Sequence, residues 1–465
     1  MSVIQRRLPR GSWVTVAILA LLAMVVSSTL QSSTVEARKS RLSSTLDQRF
    51  GVVEAWRQPE DATNLGIGWE RLTMWWKSFQ PSGPGDWNSF ATNNDASINS
   101  EIAAGRQLVG ELINTPDWAA LNPSEHGNSV PKGLYLPYDD PNNYWGHFVG
   151  MIAKHYTGRI DQWIIWNEVD IPSGEFSTWD GSVQDYAQLV KVAYHAAHAV
   201  NPNAQIILYG DPYWYDHGAF FRKLLDRLTA DPDAAANHDY FDAINLHLYN
   251  RPSDYIMVVD LYRQWLAAKG LDKPVWIGET NAVPYNDPLR TYPKSGFFST
   301  MDDQASYIVD IFALGLALNL QRIEVNRMID GADFAHGGQP FGLVRNDQSK
   351  RPEYAAYKLV ILLFSGVTGG TIRANPQSGV YEVDLQKPGA TIAVVWNQKP
   401  QPITIAIPAL SAQATVYDKT GASRPATALS GQYQFTLDAA TDNSDPADRN
   451  DYVGGGSPVI LVEPD

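Results

Sequence analysis

Two glutamates stand at the ends of two short apolar runs. Gln162-Trp163-Ile164-Ile165-Trp166-Asn167-Glu168 passes from four apolar residues straight into an amide and a carboxylate. Pro274-Val275-Trp276-Ile277-Gly278-Glu279-Thr280 repeats the pattern, with its glutamate 111 residues further on. A buried strand gives such a run, and residues at its C-terminal end reach the face where parallel α/β barrels keep their chemistry. Two carboxyls delivered to one rim suit acid/base or nucleophilic work on a polar substrate. Cleavage of a glycosidic bond is work of that kind. One carboxyl protonates the leaving oxygen, the other stands at the anomeric carbon, and where configuration is retained the two lie roughly 5 Å apart. A single glutamate at a strand end is as well explained by solvation or by a barrel arginine. Two of them, one with Asn167 in front, are not.

Bringing Glu168 and Glu279 together requires a frame, and the chain carries the pattern of one. Eight strand-like runs follow in order: Gly51–Ala55, Arg71–Trp76, Gln107–Ile113, Ile160–Trp166, Gln205–Tyr209, Ala243–Leu248, Pro274–Gly278 and Gln321–Arg327. Helix-like stretches separate most of them, which implies parallel pairing. Ser182-Val183-Gln184-Asp185 is a capping-box pattern, followed at helical spacing by Tyr186, Leu189, Val190 and Ala193. Thr300-Met301-Asp302-Asp303 repeats the device, and a helix over Tyr255–Lys269 stops at Gly270. Residues 77–106 read mostly as a long rim loop. From residue 366 the character changes to short strands divided by turns, among them Val380–Leu385, Thr391–Trp396, Ile403–Ile407, Tyr433–Leu437 and Val459–Val462. The expected fold is α/β: a (β/α)8 TIM barrel over 47–365, followed by a small C-terminal β-sandwich over 366–465.

The bulk numbers agree with a large globular core and narrow the partners. The 465 residues are 44% hydrophobic and 18% charged, with net charge −14 and no cysteine. No basic stripe marks a nucleic-acid partner. Disulfides and thiolate chemistry are excluded. Arg6, Arg7 and Arg10 precede the apolar stretch Trp13–Val26, 14 residues long, and Val35-Glu36-Ala37 offers small residues where a signal peptidase reads. Residues 1–37 are therefore expected to be a signal peptide and 38–46 a linker, giving a secreted or cell-surface protein. The rival reading is an uncleaved membrane anchor. No zinc pattern completes His195 and His198 and no Gly-x-Ser-x-Gly elbow is present, so neither a catalytic metal nor a cofactor is expected.

Set in order, these residues resemble the clan A retaining glycoside hydrolases. Trp166-Asn167-Glu168 looks like the clan's Asn-Glu acid/base motif, and Ile277-Gly278-Glu279-Thr280 looks like its nucleophile strand. Arg71 matches the arginine beside the nucleophile, Leu246-His247-Leu248-Tyr249 matches a His-x-Tyr strand end, and Thr115-Pro116-Asp117-Trp118-Ala119 matches a loop found in several of its families. The C-terminal sandwich suits the xylosidase- and iduronidase-like branch. The resemblance implies a retaining O-glycoside hydrolase acting on an oligosaccharide, polysaccharide or glycoside, with Glu168 as acid/base and Glu279 as nucleophile through a covalent glycosyl-enzyme; the N-terminal segment adds that it is exported. Arg71 would keep Glu279 ionised, Tyr249 would donate to it, Asn167 would reach the sugar 2-hydroxyl, and His247 would orient a carboxylate or bind a hydroxyl.

Other residues compete for roles. Glu54, Glu111 and Asp211 either bind sugar hydroxyls or, as we favour, serve the structure. Trp118, Trp179 and Trp214 lie on expected rim loops where they could stack on sugar faces, while Trp163 and Trp276 belong to the core. The eighth run lacks the tryptophan common in the clan, leaving Asn326 or Arg327 in its place, and an arginine there would permit a uronic acid. Alternative readings are a non-catalytic carbohydrate-binding or cell-surface protein on the same barrel and a transglycosylase. Sugar identity, linkage, endo or exo action and oligomeric state are not written in the sequence.

Overall fold

Eight parallel strands close into a barrel: β1 (Phe50–Val52), β2 (Trp69–Trp75), β3 (Gln107–Ile113), β4 (Gln162–Ile165), β5 (Gln205–Asp211), β6 (Ala243–His247), β7 (Val275–Thr280) and β8 (Arg322–Val325). Each pairs with its neighbour in sequence, and β8 returns to β1 through Ile323 opposite Phe50. All eight runs expected from the sequence are there. The structure is a computed structural model and describes residues 46–465 except 173, 175, 250, 292–297, 332–339, 376 and 442–454. The expected signal peptide and nearly all of the expected linker therefore lie outside the described residues. No helix among the described residues is long and apolar enough to cross a membrane.

Helices α1 (Pro59–Leu65), α2 (Trp76–Phe79), α3 (Asp95–Ala103), α4 (Tyr144–Tyr156), α5 (Val183–His198), α6 (Ala219–Thr229), α7 (Asp254–Ala267), α8 (Met301–Ala317) and α9 (Pro352–Phe364) alternate with the strands. Local chemistry sets their ends. The Ser182 hydroxyl accepts the Asp185 N–H while the Asp185 carboxylate accepts the Ser182 N–H, which fixes the start of α5. Thr300 accepts the Asp303 N–H at 3.0 Å and starts α8. Residues 77–106 are mostly loop, as expected, but they also contain α3, a nine-residue helix that the sequence did not announce. That helix buries only Ile98 and Glu101, so it has no apolar stripe to read. Its remaining signal was the Asn94 cap, which accepts from Ala96 and Ser97.

Alternation along the strands sends one set of side chains into the barrel. Trp69, Val109, Ile164, Ile207, Ala243 and Trp276, one from each of β2 to β7, form a sealed apolar layer. Arg322 of β8 joins it with its guanidinium 4.9 Å from the ring centres of both Trp69 and Trp276. The next inward positions on β2, β3 and β8 are Arg71, Glu111 and Glu324, and the site is built on them. The opposite faces pack on the helices, where the indole of Trp163 lies across Gly110 of β3. A Cβ at Gly110 would fall 2.4 Å from that ring.

The C-terminal strands are β9 (Gly369–Asn375), β10 (Val380–Lys387), β11 (Ala390–Asn397), β12 (Ile403–Pro408), β13 (Gln413–Tyr417), β14 (Ser423–Thr427), β15 (Gln432–Leu437) and β16 (Val459–Pro464). Six make an antiparallel sheet in the order β9-β10-β11-β16-β13-β14, and β12 pairs with β15. Ala393, Val395, Val416 and Leu461 meet Ile407, Tyr433, Phe435 and Leu437 in a separate small core. The other face of the large sheet, including Ile392, Val394 and Trp396, packs into the barrel's own core. Lys419 completes the junction with bonds to Asp302 (2.7 Å) and Ser306 (2.8 Å) of α8. Strand β14 had no apolar alternation to reveal it, since Ser-Arg-Pro-Ala-Thr is polar and largely exposed.

Gly110→Ala should cost about 1–3 kcal/mol, because the buried Trp163 ring has no room to withdraw. Urea unfolding measures it, and an unchanged midpoint would show that the strand–helix layer is looser than described.

Candidate active site

The backbone leaves β4 at Ile165 and immediately takes two left-handed residues, Trp166 (φ 68°) and Glu168 (φ 44°). Such conformations cost free energy for residues with side chains and persist where the surroundings impose them. Here the Trp166 indole donates to the Thr178 carbonyl at 2.8 Å, and the Thr178 hydroxyl donates to the Asn167 carbonyl. The turn carries Glu168 over the barrel mouth.

Glu279 reaches the same place by another device. It lies within β7 and not beyond it. Leu246 pairs with Ile277 but His247 pairs with Glu279, so one extra residue enters the strand at Gly278. A bulge of this kind re-aims the side chains that follow. Trp276 faces the interior, and so does Glu279. Thr280 turns outward to hydrogen bond Tyr307 (2.9 Å) and Tyr255 of the helical layer.

The two carboxylates thus face each other across His247. Its Nδ1 lies 2.8 Å from Glu168 Oε1 and 3.6 Å from Glu279 Oε2. One oxygen of each glutamate and the imidazole nitrogen all lie within 4.8 Å of one another. Nδ1 donates, since Nε2 faces the Arg71 guanidinium at 3.4 Å, which can only donate. Gly210 of β5 makes room for the imidazole: a Cβ there would stand 1.9 Å from Nε2. The Tyr249 hydroxyl donates to Glu279 and accepts from Asn326 Nδ2 at 2.6 Å.

Beneath them lies Arg71, buried on β2. Its guanidinium donates to Glu279, donates to Glu111 Oε1 at 2.8 Å and passes 3.7 Å from Glu324 Oε2. Its backbone N–H donates to Glu324 Oε1 at 2.8 Å. Burial pushes Glu279 up, but the charges of His247 and Arg71 and the bonds from Tyr249 and Arg71 outweigh it and bring its pKa down to about 2. Burial also pushes Glu324 up, Arg71 opposes it, and the negative neighbours Glu279 and Glu111 add to it. Its pKa is about 8. Burial raises Glu111 in the same sense. One guanidinium cannot neutralise three carboxylates, so the deepest keeps its proton at neutral pH. His247 is lowered by burial and raised more strongly by Glu279 and Glu168.

The geometry can hold one carboxylate ionised and a second within reach of the same small substrate. The same three groups, Glu168, His247 and Glu279, could also ligate a cation. The fixed positive charge of Arg71, bonded to Glu279 and 3.4 Å from His247 Nε2, stands against that use.

The structure therefore gathers Arg71, Glu168, His247, Tyr249 and Glu279, with Asn167 on the same turn. Trp118 and Trp214 lie on the loops after β3 and β5. Trp118 donates to the Gln80 carbonyl at 2.8 Å and packs on Trp76 and Tyr144. Trp214 packs on Tyr213 and His217. None of these contacts reaches the carboxylates. Trp179 is not a free stacking face, being 5% exposed and packed edge-on against Trp166. Glu54 is not on a strand; it follows β1 in a left-handed turn and binds Arg57 (2.8 Å) and Arg327 (2.6 Å). The cation suggested for a uronic acid is thus already paired. Asp211 ends β5 and accepts from the Tyr213 N–H at 2.9 Å, a structural role. Sequence reasoning overlooked Glu324 and Asp170. For Glu324 the signal was there: a charge between Ile323 and Val325, in the middle of a buried strand. Asp170, two residues beyond Glu168, is buried beside Asp211 and Asp216, which takes its pKa to about 9.

Glu324 gives a pH test. Near pKa 8 folded, and at the ordinary 4.5 unfolded, it holds a proton that unfolding releases between those values. Its contribution is present below about pH 4.5 and is lost as pH rises to about 8. Glu324→Gln carries no such proton, so its stability relative to the wild type should climb from pH 5 to pH 8. Urea midpoints at the two pH values measure this, and a constant difference would contradict it.

The sequence matches no protein-family model and no curated protein. The fold is similar to those of several solved structures. One is a family 39 glycoside hydrolase from the gut symbiont Bacteroides cellulosilyticus WH2, at 16% identity and TM-score 0.65, covering 90% of this chain and 81% of that one. A second is a glycoside hydrolase family 30 subfamily 8 xylanase from Clostridium acetobutylicum, at 14% and 0.58, covering 89% and 95%. A third is a monomeric beta-xylosidase from Caulobacter crescentus CB15, at 14% and 0.56, covering 90% and 96%. At such identities what is shared is the fold, and coverage this wide takes in both the barrel and the appended sheets.

Proposed function

We propose that the protein is a retaining O-glycoside hydrolase of the clan A type. The observation that carries this reading is the separation of the carboxylates. Oxygens of Glu168 and Glu279 within 4.8 Å match the roughly 5 Å of retaining enzymes, whereas inversion needs about 6.5–9.5 Å to admit a water between them. The similar solved structures named as glycoside hydrolases support the same reading.

The roles follow from the surroundings. Glu279, held ionised by Arg71, His247 and Tyr249, attacks the anomeric carbon. The bond to the leaving group breaks as Glu168 gives its proton to the departing oxygen. In the second step Glu168, now a carboxylate, takes a proton from water; the water oxygen attacks the anomeric carbon and the ester to Glu279 breaks. His247 holds Glu168 in register between the steps. Asn167 is assigned to the sugar 2-hydroxyl, where a hydrogen bond strengthens in the transition state. We further propose export through residues 1–37, which N-terminal sequencing of the mature protein checks.

Glu279→Ala should abolish turnover on every glycoside. Glu168→Ala should lose about 10²–10⁴-fold on substrates with poor leaving groups, yet form the glycosyl-enzyme normally from dinitrophenyl glycosides. A panel of aryl glycosides and oligosaccharides reads both. A Glu168→Ala variant that hydrolyses every substrate at the wild-type rate would remove the role assignment.

A further inference from the structure

The described residues include five exposed aromatic side chains: Trp75, Phe90, Tyr135, Phe176 and Tyr215. All five lie on the same end of the barrel, at the end of β2 or on segments that leave β2, β3, β4 and β5 before the next barrel helix. The described residues of the sandwich include none, and neither do those of the segments entering the strands from below. Single exposed apolar residues scattered over a surface are ordinary. Five aromatic rings on one half of the rim that holds Glu168 are a different matter.

The position has chemical meaning. Glu168 protonates the leaving oxygen, so the leaving group lies on the Glu168 side of the reacting sugar. Phe176 is on the same loop as Glu168, and Tyr215 is on the neighbouring loop after β5. Burial and the negative charges of Glu168 and Asp170 hold the Tyr215 phenol above its ordinary value, so Tyr215 stands within electrostatic range of the acid. Further round the rim, the Tyr135 hydroxyl is tied to Asp185 at 2.7 Å, which fixes its ring in place. Flat, anchored rings suit the C–H faces of pyranoses, whose hydroxyls remain in water. A methyl or aryl leaving group would need no platform of this extent.

We propose that this aromatic half-rim binds sugar units beyond the one that reacts, with Phe176 and Tyr215 against the leaving-group sugar, so that the substrate is an oligosaccharide or polysaccharide chain. The inference rests on the hydrolase reading and deepens it.

The test uses glycosyl fluorides, whose leaving group cannot touch the platform. Hexasaccharides of β-linked xylose, glucose and galactose are compared with the matching β-glycosyl fluorides. Tyr215→Ala and Phe176→Ala should each lower kcat/KM on the hexasaccharide by about tenfold and leave the fluoride within about twofold. Both side chains are exposed, so folding is not at stake, and melting temperatures confirm it. Unchanged hexasaccharide kinetics would overturn the proposal. So would an equal loss on the fluoride, which would mean a disturbed Glu168. A change in sedimentation coefficient with intact kinetics would assign the rings to a second copy of the chain and overturn it too. A wild-type protein that cleaves no fluoride and no hexasaccharide would instead refute the hydrolase reading itself.

Discussion

One buried guanidinium governs the charge state of the site. Arg71 faces Glu279, Glu111 and Glu324 from inside a barrel closed below by the Trp69–Trp276 layer. Three ionised carboxylates there would be strongly unfavourable, because burial costs each of them and they repel one another. The structure resolves this by depth. The carboxyl at the mouth, Glu279, is driven down to about 2, while Glu324, fully buried on β8, stays protonated to about 8. The positive charge is thereby directed at the one carboxylate that opens on the cavity. A permanently ionised Glu279 follows from the arrangement of the barrel interior, not from any property of that side chain alone.

Two backbone irregularities then bring Glu168 to that carboxylate. A bulge at Gly278 moves Glu279 onto the inner face of β7. A left-handed turn at Trp166 and Glu168 lifts the second carboxyl over the mouth of β4. His247 spans what remains, with one nitrogen serving both carboxylates and the other facing Arg71. Gly210 matters because no larger residue leaves space for that ring. The sandwich contributes from outside the site: it seals α8 and α9 with the apolar face of its large sheet, and so braces the helical layer against which Thr280 and Tyr255 position the end of β7.

How much of this was written in the sequence differs from element to element. The strands were legible because each is a short apolar run, and Gln107–Ile113 falls where the pattern puts it. Helices with an apolar stripe and a Ser or Thr cap were legible too, α5 most clearly. Helix α3 was not, since it buries too little to leave a periodic trace. The carboxylates could be named from residue types at strand ends, and Arg71, inside its strand, from the likeness to the clan A motif. The bulge that makes Glu279 useful could not, because a one-residue change of register leaves no mark beyond a glycine, and glycine stands equally well in a turn or at a close approach of two strands. Glu324 was legible in principle, as a lone charge inside an apolar strand, and its meaning needed the partner on β2. Trp179 misled for a simple reason: a loop position does not reveal which face a ring turns to water, and this ring turns almost none.

In the proposed mechanism Glu279 becomes covalently bound to the sugar while Glu168 serves the leaving group from less than a sugar's width away. The most direct measurement is trapping with 2-deoxy-2-fluoroglycosyl fluorides, which slow the second step more than the first, followed by peptide mass spectrometry. One glycosyl adduct per chain is expected, carried by the peptide containing Glu279 and lost on regeneration with an acceptor. A label on another residue, or inverted product with no adduct at all, would contradict it.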